Sequence, residues 1–292
     1  TRPWWPCSTC RSAMFRNCIF SDPPVEDRYF PPSWSALTLR SEGCDLYGVM
    51  YHPAGKGPHP TMVLFHGFPG TEKNGDLAQV FRRAGFNTIV FSYRGAWGSQ
   101  GSFSFSHVVE DGRNVLRFLR SPEARETFAV DRDRIIAAGH SMGGFAAVKA
   151  AEECPFVKDI LFLSGWNVGL DGKRASADPS LGQKLRGLLE ECAPPLAGTD
   201  ADALWNEIID KREDFDLLNS AAAFAGRNVL LVGASRDAIT PPDVHHSSLL
   251  EALRKDGRAV VRDVMLDDDH GYSASRVALA EALLDHLEKR GY

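Results

Sequence analysis

The chain has 292 residues, a hydrophobic content of 43%, a charged content of 24% and a formal net charge of -5 at pH 7. These values are typical of a globular protein with one large α/β domain or two small ones. The negative charge and the lack of a Lys/Arg-rich stripe argue against a nucleic-acid-binding protein. No run of 18 apolar residues is present, so we expect neither a transmembrane helix nor a membrane partner.

Residues 1–33 are predicted to form an irregular leader ahead of a folded domain at 34–292. Pairs of prolines at 23–24 and 31–32 interrupt regular structure, and the apolar core of a secretory signal is missing. Met14 is a candidate for the natural first residue, with the preceding residues not native. Without a secretory signal, a cytoplasmic location is the default expectation.

Three cysteines lie in this leader, at Cys7, Cys10 and Cys18. The first two have the Cys-x-x-Cys spacing of zinc and redox sites. However, no histidine among the first fifty residues can complete a zinc site, and the strand-to-helix context of a redox motif is missing. We therefore interpret the three cysteines as thiols of a loose leader, and we expect no metal there.

Strands and helices alternate along the rest of the chain. Alternating apolar residues at 35–40 and 44–51 predict an antiparallel hairpin. Apolar runs and helical periodicity then predict strands at 61–66, 87–93, 134–139, 158–163, 228–233 and 259–266, and helices at 76–84, 106–119, 145–153, 243–255 and 275–290. This order is typical of a doubly wound, mostly parallel sheet with an antiparallel start.

The stretch at about 165–226 interrupts this alternation. It contains predicted amphipathic helices at 180–191 and 202–212, joined through Pro194-Pro195. Because connections of this length in compact domains are usually functional, we interpret the stretch as a cap inserted over a binding site.

The motif Gly139-His140-Ser141-Met142-Gly143 lies between a predicted strand and a predicted helix. In that context Gly-x-Ser-x-Gly predicts a nucleophile elbow, whereas elsewhere it is an ordinary glycine-rich turn. The turn must project the serine hydroxyl, and side chains at the two glycines would collide with the neighbouring strand and helix. Ser141 is therefore the predicted nucleophile.

A serine nucleophile needs a base and a third group that orients the base, in the chain order Ser, acid, His. His270 follows the last predicted strand, at the sheet edge where sites in α/β sheets lie. We predict that His270 is the base. The other histidines after the elbow are predicted to be surface residues of helices, namely His245, His246 and His286.

Asp237 is the predicted acid, because it lies in the loop after the strand at 228–233. The competing residues Asp267, Asp268 and Asp269 are too close in sequence to His270 to reach behind its ring easily. A solvated acidic loop is the simpler interpretation of those three.

An oxyanion needs hydrogen-bond donors already aimed at it. The N–H of Met142 directly follows the nucleophile and is the first predicted donor. The second is the N–H of Phe68, in the loop after the strand at 61–66, since Pro69 has no N–H. The alternative interpretation of His66-Gly67 is a simple tight turn.

These motifs together resemble the α/β-hydrolase superfamily over about residues 35–290. They are His66-Gly67-Phe68-Pro69-Gly70, Tyr93-Arg94-Gly95, Gly98-Ser99-Gln100-Gly101, Gly139-His140-Ser141-Met142-Gly143-Gly144, Ser235-Arg236-Asp237 and Asp269-His270. Within it the chain resembles the branch of bacterial esterases, acyl-peptide hydrolases and the prolyl oligopeptidase catalytic domain. The resemblance implies an eight-stranded, mostly parallel sheet with helices on both faces and a helical cap.

The resemblance also implies Ser141, Asp237 and His270 as a triad, with Phe68 and Met142 as oxyanion donors and no metal or organic cofactor. Our first hypothesis is a serine carboxylic-ester hydrolase whose partner is a small, soluble ester of short to medium acyl chain. The residues ahead of the sheet are too few for the propeller domain of prolyl oligopeptidases, which weakens a peptidase interpretation.

Three alternatives remain open at this stage. An aminopeptidase or acyl-peptide hydrolase would use the same triad and need Glu190-Glu191 or Arg94 to hold a peptide terminus. A lyase or perhydrolase would also fit the fold. A non-catalytic ligand-binding protein would fit too, because fold does not determine function. The oligomeric state does not follow from the sequence.

Overall fold

The computed structural model describes residues 17–292, which form a sheet flanked by helices. The strands are β1 (Ser33–Ser41), β2 (Cys44–His52), β3 (His59–Phe65), β4 (Asn87–Phe91), β5 (Val130–His140), β6 (Asp159–Leu163), β7 (Asn228–Ala234) and β8 (Val260–Leu266). The helices are α1 (Gly75–Arg83), α2 (Phe105–Leu119), α3 (Pro122–Phe128), α4 (Met142–Glu152), α5 (Val168–Ala177), α6 (Pro179–Cys192), α7 (Ala201–Asp210), α8 (His246–Asp256) and α9 (Arg276–Lys289). A 3-10 helix covers Leu217–Phe224.

The eight strands form one sheet in the order β1-β2-β4-β3-β5-β6-β7-β8. The hairpin β1/β2 is antiparallel, as is the pair β2/β4, and the pairs from β4 to β8 are parallel. The predicted hairpin and the predicted eight-stranded, mostly parallel sheet are therefore confirmed. None of the helices among residues 17–292 is long and apolar enough to span a membrane.

Helices cover both faces of the sheet because side chains of each central strand alternate between two cores. Along β3, Val63 and Phe65 belong to the core that includes α2, α4 and α8. Met62 and Leu64 belong to the opposite core, which includes α1 and α9. The predicted two-sided arrangement is confirmed.

Two helices have no counterpart in the sequence prediction. The helix α3 is short and begins with Pro122 after Ser121, whose Oγ accepts a hydrogen bond from the backbone N–H of Ala124 at 3.1 Å. The helix α5 contains two glycines, and its start depends on the Asn167 side chain, which accepts from the Leu170 N–H. Both helices depend more on their capping residues than on apolar periodicity.

The described end of the leader packs against the domain. Residues 17–20 are helical, and Cys18 is buried. Cys18 Sγ donates to the Arg83 carbonyl at 3.2 Å, and Arg83 Nε donates to the Cys18 carbonyl at 2.5 Å. The turn of helix at 17–20 departs from the predicted irregular leader, whereas the described residues 21–32 form neither helix nor strand. Cys7, Cys10 and Met14 lie outside the described residues.

Candidate active site

Ser141 lies at the turn between β5 and α4 with φ 58° and ψ -126°, a conformation that non-glycine residues rarely adopt. Its N–H donates to the Leu163 carbonyl at 3.1 Å, and its carbonyl accepts from the Trp166 N–H at 2.9 Å. Hydrogen bonds to the end of β6 and the loop that follows therefore hold the strained turn. Such strain costs about 1–3 kcal/mol and is typical of functional residues.

Glycines make this turn sterically possible, as the sequence predicted. A Cβ at Gly139 would overlap the Gly143 backbone, and a Cβ at Gly143 would overlap the Phe65 carbonyl at the end of β3. A Cβ at Gly67 would lie 3.0 Å from the Ser141 Cβ. The loop after β3 therefore packs directly against Ser141.

Asp237 and His270 meet at the same sheet edge. Asp237 lies in the loop after β7, and His270 lies in the loop after β8. The Nδ1–H of His270 donates to Asp237 Oδ2 at 2.8 Å. This bond leaves Nε2 as the proton-accepting nitrogen of the neutral ring, which is the tautomer that a general base requires.

Asp237 accepts several further hydrogen bonds. The N–H groups of Ile239 and Thr240 donate to Oδ1 at 2.9 and 2.8 Å. Burial alone would raise the pKa of Asp237, but the hydrogen bonds from His270 and Thr240 outweigh it and lower that pKa below its usual range. The carboxylate is therefore ionised at neutral pH and can stabilise a charged imidazole.

Thr240 contacts both members of this pair. Its Oγ1 lies 2.8 Å from Asp237 Oδ2, 2.9 Å from the Ser164 carbonyl and 3.2 Å from His270 Nδ1. Because its hydroxyl lies within hydrogen-bond distance of both the Asp237 carboxylate and the loop after β6, we expect Thr240 to hold Asp237 in position.

We expect Thr240→Val to lower kcat about tenfold, since a hydrogen bond to a charged group is lost with little change in side-chain volume. KM is expected to change little, because the methyl groups still fill the same space. Thr240→Ser, which keeps the hydroxyl, should restore most of the rate. Equal losses in the two variants, measured by steady-state kinetics, would contradict the positioning role.

His140, the histidine inside the elbow motif, contacts the loop that carries His270. His140 Nε2 lies 2.7 Å from the His270 carbonyl, and the two rings are 4.7 Å apart. Burial lowers the pKa of His140 to about 4, so the ring is neutral at pH 7 and donates its Nε2–H to that carbonyl. His140 therefore ties the His270 loop to the end of β5.

Buried neutral histidines make the fold sensitive to acid. Burial lowers the pKa of His66 to about 3 and those of His140 and His286 to about 4. An unfolded histidine has a pKa of about 6.5, so between these values the unfolded chain binds more protons than the folded one. The free energy of unfolding is therefore expected to fall as the pH drops from about 6.5 to about 4.

Each such histidine contributes a slope of up to about 1.4 kcal/mol per pH unit in this window. Urea unfolding at several pH values between 7 and 4.5 measures the slope. His286→Leu changes a residue that does not line the cavity of Ser141, and it should reduce the slope by up to about 1.4 kcal/mol per pH unit. A stability that is flat across this window would show that these histidines are not buried in the neutral form.

Two predictions about surface residues are wrong. His245, His246 and His286 are at most 5% exposed, because each helix turns its histidine towards the interior. Asp268 is also buried, and it accepts hydrogen bonds from the backbone of Ala274 and the side chain of Ser275. Its carboxylate therefore stabilises the loop that carries His270, whereas the Asp267 side chain is exposed as predicted.

Ser141 and His270 line one cavity of about 210 Å³. The other lining residues are Phe68, Trp166, Asp171, Leu188, Ile239 and Thr240. Trp166, Asp171 and Leu188 come from the stretch interpreted as a cap, so this stretch contributes directly to the site. None of these three residues was identified from the sequence, because no spacing pattern marks them. Thr240 was also missed, although its position three residues after Asp237 fits the pattern of a turn capped by an aspartate side chain.

Phe68, one predicted oxyanion donor, lines the same cavity as Ser141, and Met142, the other, directly follows Ser141 in the chain. The Phe68 ring packs 6.3 Å from the Trp166 ring, centroid to centroid. Met142 is the first residue of α4, and the first N–H groups of a helix have no partner within the helix. Among residues 17–292, no group of three or more His, Cys, Asp or Glu side chains is arranged to hold a metal ion.

Comparison with known proteins identifies the family of this chain. The sequence model of the Alpha/beta hydrolase family matches residues 62–284, which is most of the chain. The chain belongs to the α/β hydrolase family. The resemblance inferred from the sequence motifs is therefore confirmed for the superfamily.

One relative in sequence is an "Uncharacterized 31.7 kDa protein in traX-finO intergenic region" of Escherichia coli. It is 34% identical over 112 residues, which are 37% of this chain and 38% of the relative. The match therefore covers well under two thirds of that relative's length.

Solved structures with this α/β hydrolase fold include peptidases of the branch that the sequence resembles. An acylaminoacyl peptidase of Pyrococcus horikoshii has a TM-score of 0.67 and 17% identity, over 88% of this chain and 42% of that chain. A puromycin hydrolase has a TM-score of 0.63 and 18% identity, over 92% of this chain and 40% of that chain. At such identities the likeness establishes the shared fold alone.

Proposed function

We propose that this chain is a serine carboxylic-ester hydrolase that acts on soluble esters of short to medium acyl chain. The observation that carries the proposal is the hydrogen bond from His270 to the ionised Asp237, together with the cavity that His270 shares with Ser141. A serine, an imidazole with a free Nε2 and a buried carboxylate are the three groups that acyl transfer requires.

In the proposed reaction, Ser141 Oγ attacks the ester carbonyl while His270 Nε2 accepts the serine proton. Asp237 stabilises the resulting imidazolium through its bond to Nδ1–H. His270 then gives the proton to the leaving alcohol, which leaves an acyl group on Ser141. A water molecule, activated by His270, releases the acid by the same route, and the N–H groups of Phe68 and Met142 stabilise both tetrahedral intermediates.

The dimensions of the cavity support a small acyl group. Its volume of about 210 Å³ lies below the range of about 300–1,000 Å³ that is usual for sites binding drug-sized ligands. Phe68, Trp166 and Leu188 give much of the wall an apolar character. This combination favours a short alkyl chain over a long one.

A peptidase is the second candidate, since solved structures of similar fold include an acylaminoacyl peptidase. The groups suggested from the sequence for holding a peptide terminus do not support it. Arg94 is buried in ion pairs with Asp111 and Glu110, and Glu190 and Glu191 are exposed and do not line the cavity.

Two substrate series separate these functions. Purified protein would be assayed with p-nitrophenyl esters of about two to about twelve acyl carbons and with aminoacyl and peptidyl p-nitroanilides. We expect turnover of the esters with a maximum at short chains and little cleavage of the anilides. Anilide cleavage at rates comparable with ester cleavage would favour the peptidase, and no cleavage of either series would contradict both candidates.

A further inference from the structure

A second cavity adjoins the one that contains Ser141. It has a volume of about 300 Å³, and we call it the outer pocket. Asp171, Leu188 and Ile239 line both cavities. A substrate whose ester group lies at Ser141 can therefore extend past these three side chains into the outer pocket.

The outer pocket carries more positive than negative charge. Arg174 and Lys184 are its cationic lining residues, and Asp171 is its carboxylate. His245 also lines it, but burial lowers the pKa of His245, so the ring adds no charge at neutral pH. One positive charge therefore remains in excess at the walls of the pocket.

Neighbouring side chains, Arg174 among them, already bind both oxygens of Asp171. Its Oδ2 accepts from Trp166 Nε1 at 2.7 Å, and its Oδ1 accepts from Arg174 at 3.1 Å. Both carboxylate oxygens are thus engaged, which disfavours Asp171 as a partner for a substrate ammonium group. Arg174 retains further N–H donors. Lys184 forms no salt bridge among residues 17–292, although its charge contributes to lowering the pKa of Asp178.

We propose that the outer pocket binds a carboxylate of the substrate, held by Arg174 and Lys184, at the end remote from the ester bond. This inference rests on the proposed ester hydrolysis and narrows its substrates to esters of acids or alcohols that carry a second, ionised carboxyl group. Such a carboxylate accepts charge-assisted hydrogen bonds from guanidinium and ammonium groups, which are stronger than those between neutral partners.

Two matched pairs of substrates test the proposal and show which half of the ester carries the carboxylate. Mono-p-nitrophenyl glutarate is compared with p-nitrophenyl pentanoate for the acyl half. The 4-(butyryloxy)benzoate anion is compared with its methyl ester for the alcohol half. At low salt we expect kcat/KM to be about tenfold higher for the charged member of one pair, and the preference to shrink as salt is raised.

Variants of the two cations should remove this preference. We expect Lys184→Gln, at an exposed position, to reduce the ratio about threefold, and the double variant with Arg174→Gln to bring it near one. Lys184→Glu should favour the neutral member. Arg186→Gln is the control, because this arginine lies on the same helix, pairs with Asp202 and does not line the pocket.

The outcomes are distinguishable. Hydrolysis of the neutral esters without any preference for a charged member would overturn the carboxylate site and leave the proposed function standing. A preference that survives in the double variant would also overturn the assignment to Arg174 and Lys184. No hydrolysis of any ester would overturn the proposed function and this inference together.

Discussion

Ser141→Ala is expected to lower kcat/KM for p-nitrophenyl butyrate by about 10⁴-fold or more. In the proposed mechanism the substitution removes the atom that forms the acyl-enzyme, whereas the proposed oxyanion donors and the cavity remain. Alanine occupies almost the same volume, so the thermal unfolding temperature should change little. Initial rates and a thermal melt of the same preparation measure both quantities.

Ser248→Ala is a suitable control for this variant. Ser248 lies in α8 and donates its hydroxyl to the Val244 carbonyl, away from the cavity. It should hydrolyse the ester at the wild-type rate. If Ser141→Ala kept more than about one hundredth of the activity, nucleophilic catalysis by Ser141 would be ruled out.

Asp237→Asn is expected to lower kcat by about 10³–10⁴-fold. The amide of asparagine can donate to His270 Nδ1, which would favour the tautomer with the proton on Nε2 and leave no base towards Ser141. The charge that stabilises the imidazolium is lost as well. Single-turnover kinetics with a p-nitrophenyl ester would locate the loss in the acylation step.

The matched control is Asp267→Asn in the loop that precedes His270. Asp267 is one of the residues that competed with Asp237 as the predicted acid. Its side chain is exposed, accepts a hydrogen bond from the Ser235 hydroxyl and forms a salt bridge with Arg236. We expect this variant to keep nearly the wild-type kcat. Similar losses in both variants would mean that the rate depends on the charge of the whole loop and not on the bond between Asp237 and His270.

The sheet was predictable because central parallel strands bury both faces and read as continuous apolar runs. The runs at β3, β6 and β7 are buried almost throughout, and the sequence located all three within two residues. The approximate position of the site followed from topology, since loops after parallel strands meet at one edge. That argument brought together Ser141, Asp237 and His270.

The shape of the site was not predictable in the same way. Its walls depend on Trp166 in the loop after β6 and on Asp171 and Leu188 in α5 and α6. The packing of these segments over the sheet has no period in the sequence. Asp171 lines both this cavity and the outer pocket, and hydrogen bonds from Trp166 and Arg174 hold its carboxylate there. Contacts of this kind arise from tertiary packing, which local patterns do not encode.

Burial of histidines was misjudged for a related reason. A histidine at the start or in the middle of a helix is usually a surface residue, and His246 and His286 were interpreted in that way. In the structure His246 Nε2 lies 2.7 Å from the Asp263 carboxylate on β8. A strand distant in sequence supplies the partner, so helix position alone could not reveal it.

The most direct test of the proposed chemistry is mass spectrometry of the protein after reaction with a p-nitrophenyl alkylphosphonate, which forms a stable adduct with an activated serine. Intact-mass measurement and peptide mapping would be done on the wild type and on Ser141→Ala. We predict one adduct per wild-type chain, on the peptide that contains Ser141, and none on the variant. An unmodified wild-type chain, or an adduct on another residue that persists in the variant, would contradict Ser141 as the nucleophile.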